Sequence, residues 1–169
     1  FTYIENNDIK SVKNYINFGI DLNIQDNNGF TPIIYATFYN RTKIVELFLN
    51  SGADLDKQNN RGYTALILAS QNNNIEIVEL LLNSGANIDK QNEDGNTALI
   101  LAANKDNIKI VKLLLNAGAD IDKQDMFGNT ALIYATHKNS KEIVKLLLNA
   151  GADLNKQNNT GSTALIKAV

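Results

Sequence analysis

The chain has 169 residues, a formal net charge of −2 at pH 7 and no cysteine. This charge balance gives no long-range attraction to nucleic acid or to an anionic membrane, so we expect neither as a partner. The absence of cysteine excludes disulfides, thiolate catalysis and cysteine metal sites. No apolar run approaches the roughly 18 residues that a membrane helix needs. Because the first residue is Phe1 and not methionine, we expect a processed form or a fragment of a longer protein.

A 33-residue period runs through the sequence. The stretch at residues 51–69 reads SGADLDKQNNRGYTALILA, and close variants of it return three more times. A G-x-T triplet begins at Gly29, Gly62, Gly95, Gly128 and Gly161, and a second glycine recurs at Gly19, Gly52, Gly85, Gly118 and Gly151. A fixed period of this length is typical of solenoids, in which neighbouring repeats share a core that one repeat cannot bury alone.

The first repeat in chain order is divergent. Residues 1–19 match a repeat only from its first helix onward, and Ser11 and Asn14 replace an isoleucine and a leucine of the later repeats. Since the terminal repeats of a solenoid need a polar outer face, we expect a polar-faced cap here.

The elements of a full repeat are illustrated by residues 62–88. Thr64 is a good N-cap for the apolar run ALILA, and Asn73 tolerates the left-handed backbone that ends a helix. A second helix follows, and Gly85 supplies its C-terminal stop. Its apolar residues predict a wide buried face, formed by Ile77, Val78, Leu80, Leu81 and Leu82. The polar segment ANIDKQNEDGN then predicts an extended, hairpin-like loop.

These motifs resemble the ankyrin repeat. Where that family has G-x-T-P-L-H-x-A, the chain has GFTPIIYA, GYTALILA, GNTALILA, GNTALIYA and GSTALIKA, and where the family has L-L-x-x-G-A-D, it has FLNSGAD, LLNSGAN and LLNAGAD. The family's histidine is isoleucine in all five copies, at Ile34, Ile67, Ile100, Ile133 and Ile166. The resemblance implies an all-α ankyrin-repeat solenoid of helix-turn-helix-loop units in a curved stack. It also implies a non-catalytic protein–protein interaction module with a concave binding surface.

The period divides a single ankyrin-repeat domain, residues 1–169, into successive units. The first and last are partial, and the approximate boundaries are 1–25, 26–58, 59–91, 92–124, 125–157 and 158–169.

Catalytic and metal-binding groups are scarce. The single histidine, His137, lies at a variable position, so we expect no catalytic site and no cofactor. The recurring Asp and Asn residues, such as Asp120 and Asp122, predict turn capping through Asx-type hydrogen bonds. A calcium site at these two residues is the alternative, but the spacing of an EF-hand is absent. The lysine column that includes Lys57 has aspartates beside it, which favours a solvated loop base over a phosphate site.

Candidate partner-binding residues follow from the family's binding surface, formed by loop tips and the exposed ends of inner helices. They are Phe30, Phe38, Tyr39, Arg61, Tyr63, Glu93, Asp94, Met126, Phe127 and His137. Aromatic residues and arginine are the usual anchors of protein interfaces. The hypothesis is that the N-terminal aromatic residues grip a protein partner, with Met126 and Phe127 as a second contact. The alternative is that Phe30 and Phe38 pack against the divergent first repeat as part of its cap.

Two other interpretations of the function remain open. One is an accessory repeat segment of a longer multidomain enzyme or secreted effector, and the other is a structural spacer without a dedicated ligand. We expect a monomer in the cytoplasm, with an exported or periplasmic location as the alternative. The identity of the protein partner does not follow from the residues, because fold does not imply function.

Overall fold

In a computed structural model the chain folds into short helices joined by turns and loops. The structure describes residues 1–167, with side chains up to Leu165. The helices in that range are α1 (Thr2–Glu5), α2 (Ile9–Asn17), α3 (Pro32–Phe38), α4 (Thr42–Asn50), α5 (Ala65–Gln71), α6 (Ile75–Asn83), α7 (Ala98–Asn104), α8 (Ile108–Asn116), α9 (Ala131–His137), α10 (Lys141–Asn149) and α11 (Ala164–Lys167). No strand occurs among the residues described. The prediction of an all-α fold is therefore confirmed.

Two compact units are distinguished by their internal contacts, Phe1–Asn87 and Ile88–Val169. In the first unit, α3 packs against α4 and α5, and α4 packs against α6. In the second, α7 packs against α8 and α9, and α8 packs against α10. Within each unit, a helix thus contacts both its own repeat's partner helix and the equivalent helix of the next repeat. The predicted end points of the single repeats remain predictions.

The inner helices α3, α5, α7 and α9 each begin after a capping threonine. The Thr64 hydroxyl accepts a hydrogen bond from the Ile67 N–H, and Thr31, Thr97 and Thr130 do the same for α3, α7 and α9. In α3 the first helical position is Pro32, where the missing N–H leaves no partner unsatisfied. The predicted start of these helices is confirmed.

The helices α1, α3, α5, α7 and α9 are each followed closely by a residue with a left-handed backbone. These residues are Asn7, Asn40, Asn73, Asp106 and Asn139, with φ between 54° and 60°. Asn and Asp adopt this conformation at lower cost than other residues with a Cβ. The prediction made for Asn73 and its equivalents is confirmed.

The core is built from the recurring apolar positions. Ile77, Val78 and Leu81 of α6 are buried, whereas Leu80 and Leu82 are only half-buried. The isoleucines that replace the family's histidine are buried where they are described, at Ile34, Ile67, Ile100 and Ile133, while the Ile166 side chain lies outside the described residues. An isoleucine here places apolar surface in the core, where a histidine would need a hydrogen-bonding partner.

The loops are held by side-chain hydrogen bonds to backbone N–H groups. Asp54 accepts from the N–H of Asp56 at 2.9 Å, which caps its own turn, while Asp56 accepts from the N–H of Asn87 at 2.8 Å. In the second unit Asp122 accepts from the N–H of Asp153 at 3.0 Å. The predicted turn capping is confirmed, and the second acid of each pair also joins its loop to the next repeat.

The first repeat exposes both polar and aromatic residues, and Lys10, Lys13 and Asn14 are among the exposed polar ones. Ser11 instead bonds to Asp8 at the start of α2, at 2.6 Å between the hydroxyl and the carboxylate. Tyr3 and Tyr15 are exposed, and Phe18 is 83% exposed. The predicted polar face is therefore present only in part. Asp8, which Ser11 contacts, is the N-cap of α2, and aromatic residues share the outward positions with polar ones.

Candidate partner-binding surfaces

The first compact unit contains a cluster of five aromatic rings, formed by Phe1, Phe30, Tyr35, Phe38 and Tyr39 and called the aromatic cluster below. Phe30 precedes the cap of α3, and Tyr35, Phe38 and Tyr39 lie along the helix and at its end. Centroid distances are 5.6 Å for Phe30–Tyr35, 6.1 Å for Phe30–Phe38 and 5.1 Å for Phe38–Tyr39. Phe38 is 51% exposed, so the cluster presents an aromatic surface to solvent.

Two contacts attach the aromatic cluster to the first repeat. The rings of Phe1 and Tyr35 lie 5.0 Å apart, and the Tyr39 hydroxyl donates to a Glu5 carboxylate oxygen at 2.7 Å. That hydrogen bond, together with burial, raises the pKa of Tyr39. Arg41 donates to the Glu5 carbonyl oxygen at 2.6 Å. Tyr39 is therefore held in place by the first repeat.

Phe1 and Tyr35 were not among the residues predicted from the sequence. Tyr35 precedes Tyr39 by four residues, a spacing that places two side chains on the same face of a helix. Their rings are 5.6 Å apart. This spacing is a signal in the sequence from which Tyr35 was predictable, whereas the packing of Phe1 depends on tertiary structure.

Among the described residues, no ring contact joins Tyr63 to the aromatic cluster, and Arg61 lies over the Tyr63 ring. Tyr63 is only 9% exposed, and its N–H donates to Asn59 at 2.9 Å. The Arg61 guanidinium carbon lies 5.7 Å from the centre of the Tyr63 ring, and Arg61 itself is exposed. Of this pair, arginine is the side chain that a partner can reach.

Glu93 and Asp94 form an acidic loop tip in the second compact unit. Glu93 is exposed and Asp94 is half-buried. The Asp94 N–H donates to Asn92 at 3.1 Å, and the Asp94 carbonyl accepts from the Met126 N–H at 2.8 Å. The backbone of this tip is thus fixed on both sides, while its carboxylates form no ion pair within the described chain.

Met126 and Phe127 form an apolar loop tip in the same unit. Each is 56% exposed. The Phe127 N–H donates to Asp125 at 2.9 Å, and the Phe127 carbonyl accepts from the Asn159 N–H at 2.9 Å. These bonds hold the tip's backbone, so both apolar side chains are displayed from a fixed support.

A hollow of about 350 Å³ lies beside Phe127 in the second unit. Ile133 and His137 line it together with the polar residues Asn129, Tyr134, Asn158, Asn159 and Thr160. Exposed His137 is therefore a wall of this hollow. The Tyr134 hydroxyl donates to the buried Asp125 carboxylate at 2.6 Å. Burial and then this hydrogen bond raise the pKa of Tyr134 to about 12.

Charged residues at equivalent positions of successive repeats make few direct ion pairs among the described residues. Lys112 and Glu142 on the outer helices are 2.8 Å apart, and this is the only ion pair among the described residues. Such an exposed pair contributes well under about 1 kcal/mol. Lys57 donates to the Asn23 carbonyl at 2.9 Å, so its ammonium group supports a loop.

The described residues also bear on metal sites and on membrane-spanning helices. Within the described part of the chain, no three His, Asp or Glu side chains are grouped so that they could hold a metal ion. Over the same residues, no helix combines the length and the apolar character that crossing a membrane requires.

Comparison with known proteins identifies the scaffold. The family model described as "Ankyrin repeats (3 copies)" matches residues 2–92, 51–125 and 99–169. Among curated proteins, none matches the chain. The matched ranges together extend from residue 2 to residue 169, and the helix caps, turns and buried positions described above recur within them. The chain therefore belongs to the ankyrin-repeat family.

Proposed function

We propose that the protein is a non-catalytic protein-binding module and that the aromatic cluster is its main contact with a protein partner. Repeats of this family are in general protein–protein interaction modules. The observation that carries the proposal is Phe38, which is 51% exposed although it belongs to a cluster of packed rings. Aromatic residues of this kind are typical anchors of protein interfaces.

The ring contacts favour display of Phe38 over capping. Phe38 contacts the rings of Phe30 and Tyr39, which belong to its own repeat. The ring contact to the first repeat runs through Tyr35 and Phe1 instead. Edge-to-face packing fixes the rings at favourable centroid distances. Because the surface is already ordered, binding costs little side-chain entropy.

The Met126–Phe127 tip is the second proposed contact. Both side chains are exposed, and the backbone that carries them is hydrogen-bonded to the neighbouring loops. Isolated exposed apolar residues are normal on protein surfaces. Two adjacent ones on a fixed loop tip, in a family whose loop tips contact partners, support a binding role.

The test combines partner capture with a matched pair of variants. The partner is captured by cross-linking in the native cell and identified by mass spectrometry, and its affinity for the purified chain is then measured. Phe38→Gln copies Gln71, the residue at this position in the next repeat, and Glu79→Lys copies Lys112 on an outer helix. We expect Phe38→Gln to weaken binding by about 30-fold, because losing an interface anchor typically costs about 2 kcal/mol or more.

The controls are the partner affinity of Glu79→Lys and the melting temperatures of both variants. Glu79→Lys should bind like the unaltered chain, and both variants should melt within a few degrees of it. Equal affinity of Phe38→Gln and the unaltered chain would remove the aromatic cluster from the interface. Finding no saturable protein partner would instead favour a structural spacer.

A further inference from the structure

The hollow beside Phe127 has a volume and a lining suited to one long side chain. Its volume, about 350 Å³, is near the lower end of the range of about 300–1,000 Å³ for ligand pockets. Its lining residues include Phe127, Asn129, Asn158 and Thr160. The lining thus combines an aromatic ring with side chains that carry oxygen acceptors.

The aromatic wall favours a cation. Phe127 is 56% exposed, and its backbone is fixed at both the N–H and the carbonyl. A cation within about 6 Å of a ring centre is attracted by the negative face of the ring. Because the loop is already ordered, that attraction is gained without ordering the loop on binding.

The charges around the hollow also favour a cation as its occupant. The buried Asp125 accepts the Tyr134 hydroxyl at 2.6 Å, and no lysine or arginine is among the lining residues. Both Asp125 and Asp94 act on Tyr134 electrostatically and help to raise its pKa. Two carboxylates thus contribute a negative potential at Tyr134, which lines the hollow, and this potential complements a positively charged occupant.

Arginine fits this arrangement better than lysine does. Its guanidinium is planar, stacks on aromatic faces and is more weakly hydrated than an ammonium group. It also carries five N–H donors and no acceptor. The Asn129 oxygen already accepts from the Asn158 amide at 2.9 Å, and the Thr160 hydroxyl donates to the Asn158 oxygen at 2.7 Å. An amide oxygen and a hydroxyl oxygen each have two lone pairs, so both retain acceptor capacity for a fork-shaped group.

We propose that this hollow binds an arginine side chain of the protein partner, stacked on Phe127 and attracted by the negative charges of Asp94 and Asp125. This deepens the proposed function and rests on it, since it assumes a protein partner. It assigns the Met126–Phe127 tip a defined role, in which Phe127 forms the wall and Met126 does not line the hollow.

The hollow can be tested without the partner. The isotope-labelled full chain is titrated with Nα-acetyl-arginine amide and followed by NMR, using the side-chain amide signals of Asn129 and Asn158. The neutral isostere Nα-acetyl-citrulline amide and the lysine analogue are the comparison probes. We expect saturable shifts with a millimolar dissociation constant for the arginine probe, and about tenfold weaker binding of the citrulline probe.

Variants copied from other repeats separate the contributions. Phe127→Thr reproduces Thr160 and Met126→Asn reproduces Asn60, each at its equivalent loop position. We expect Phe127→Thr and Asp94→Asn each to weaken arginine binding about fivefold or more, and Met126→Asn to leave it unchanged. Asp94→Asn keeps the test valid if Phe127→Thr lowers the melting temperature, because only the backbone of Asp94 takes part in the described loop bonds.

Several outcomes would overturn the proposal. These are shifts that do not saturate, equal binding of arginine and citrulline probes, tighter binding of lysine, or no effect of Phe127→Thr and Asp94→Asn. Phe38→Gln should not alter this titration, since it changes the aromatic cluster in the other compact unit. If the arginine probe does not bind, the affinity measurement on Phe38→Gln still tests the aromatic cluster. If Phe38→Gln does not weaken partner binding, the titration still tests the hollow.

Discussion

At the residue scale, Tyr134 shows how a position that varies among the repeats becomes part of the scaffold. Its equivalents are Tyr35, Leu68 and Leu101. The Tyr134 hydroxyl donates to Asp125, which also accepts the N–H groups of Phe127 and Asn129. The loop that carries the exposed Phe127 is thus tied to the inner helix α9 through the Tyr134 hydroxyl.

Replacing Tyr134 with phenylalanine should lower the free energy of unfolding by about 1–3 kcal/mol, because it leaves a buried Asp125 oxygen without its donor. Tyr35→Phe is the matched control, since the Tyr35 hydroxyl has no hydrogen bond among the described residues, and it should change the same quantity by less than about 0.5 kcal/mol. Urea unfolding followed by circular dichroism measures both. Equal effects of the two variants would show that the Tyr134 hydroxyl has no structural role.

The same hydroxyl should make stability depend on alkaline pH. The folded pKa of Tyr134, about 12, lies above the ordinary value of 10.0. Below pH 10 the hydroxyl is protonated in both the folded and the unfolded chain, so its contribution is fully present. Between pH 10 and 12 the unfolded chain ionises first, so the contribution is lost as pH rises. The difference in unfolding free energy between the unaltered chain and Tyr134→Phe should narrow from pH 9 to pH 11.5, and a constant difference would contradict this assignment.

Single residues were the hardest features to predict from the sequence. Phe30 and Tyr63 occupy equivalent repeat positions, yet Phe30 is half-buried within a cluster and Tyr63 is nearly buried beside Arg61. Their exposure depends on the side chains that neighbour them in space, and these change from repeat to repeat. Periodicity within one chain contains no information about such pairings.

At the element scale, caps and stops were predictable because each depends on local backbone chemistry. A threonine before an apolar run and an Asn at the end of the run have few other roles in a helix. The bonds between loops were not predictable in the same way. Gln91 donates both to Gly95 within its own loop and to the Gln124 carbonyl 33 residues away, and the second bond exists only once the repeats are packed.

Two glycines of the second unit should respond differently to substitution. Gly95 and Gly118 both have a left-handed backbone, with φ of 77° and 84°. A Cβ on Gly95 would lie 2.8 Å from the Met126 backbone nitrogen, whereas a Cβ on Gly118 would meet nothing within 4 Å. Gly118→Ala should therefore cost about 1–2 kcal/mol for the backbone conformation alone. Gly95→Ala should cost about 1–3 kcal/mol more, because the next loop must also move.

Chemical denaturation of the two alanine variants measures this difference. The crystal structure or NMR spectrum of Gly95→Ala should also show a displaced loop at residues 125–127, and that of Gly118→Ala should not. Equal destabilisation by the two substitutions would mean that loop contacts between these repeats contribute nothing to stability.

At the scale of the whole molecule, the sequence separates residues that build the scaffold from residues free to form a surface. The recurring threonines, apolar residues and glycines make the helices and their shared core, as the caps and burial described above show. The varying residues supply the aromatic cluster in one compact unit and the apolar tip with its hollow in the other. The family and the fold follow from the first set, and the proposed partner contacts come from the second.

The central claim is that a repeat buries its apolar face only against its neighbours. In the second unit, α7 buries Leu99 and Ile100 while packing against α9, and α8 packs against α10. Residues 92–124 contain α7 and α8 but neither of those partner helices.

The most direct test is the far-ultraviolet circular dichroism of a peptide of residues 92–124, compared with that of the full chain over a temperature ramp. We predict that the full chain is helical and melts cooperatively, whereas the peptide has little helix and no sigmoidal transition, because short helices without tertiary packing are marginal in water. A peptide with the full chain's helical signal per residue and a cooperative melt of its own would contradict the account.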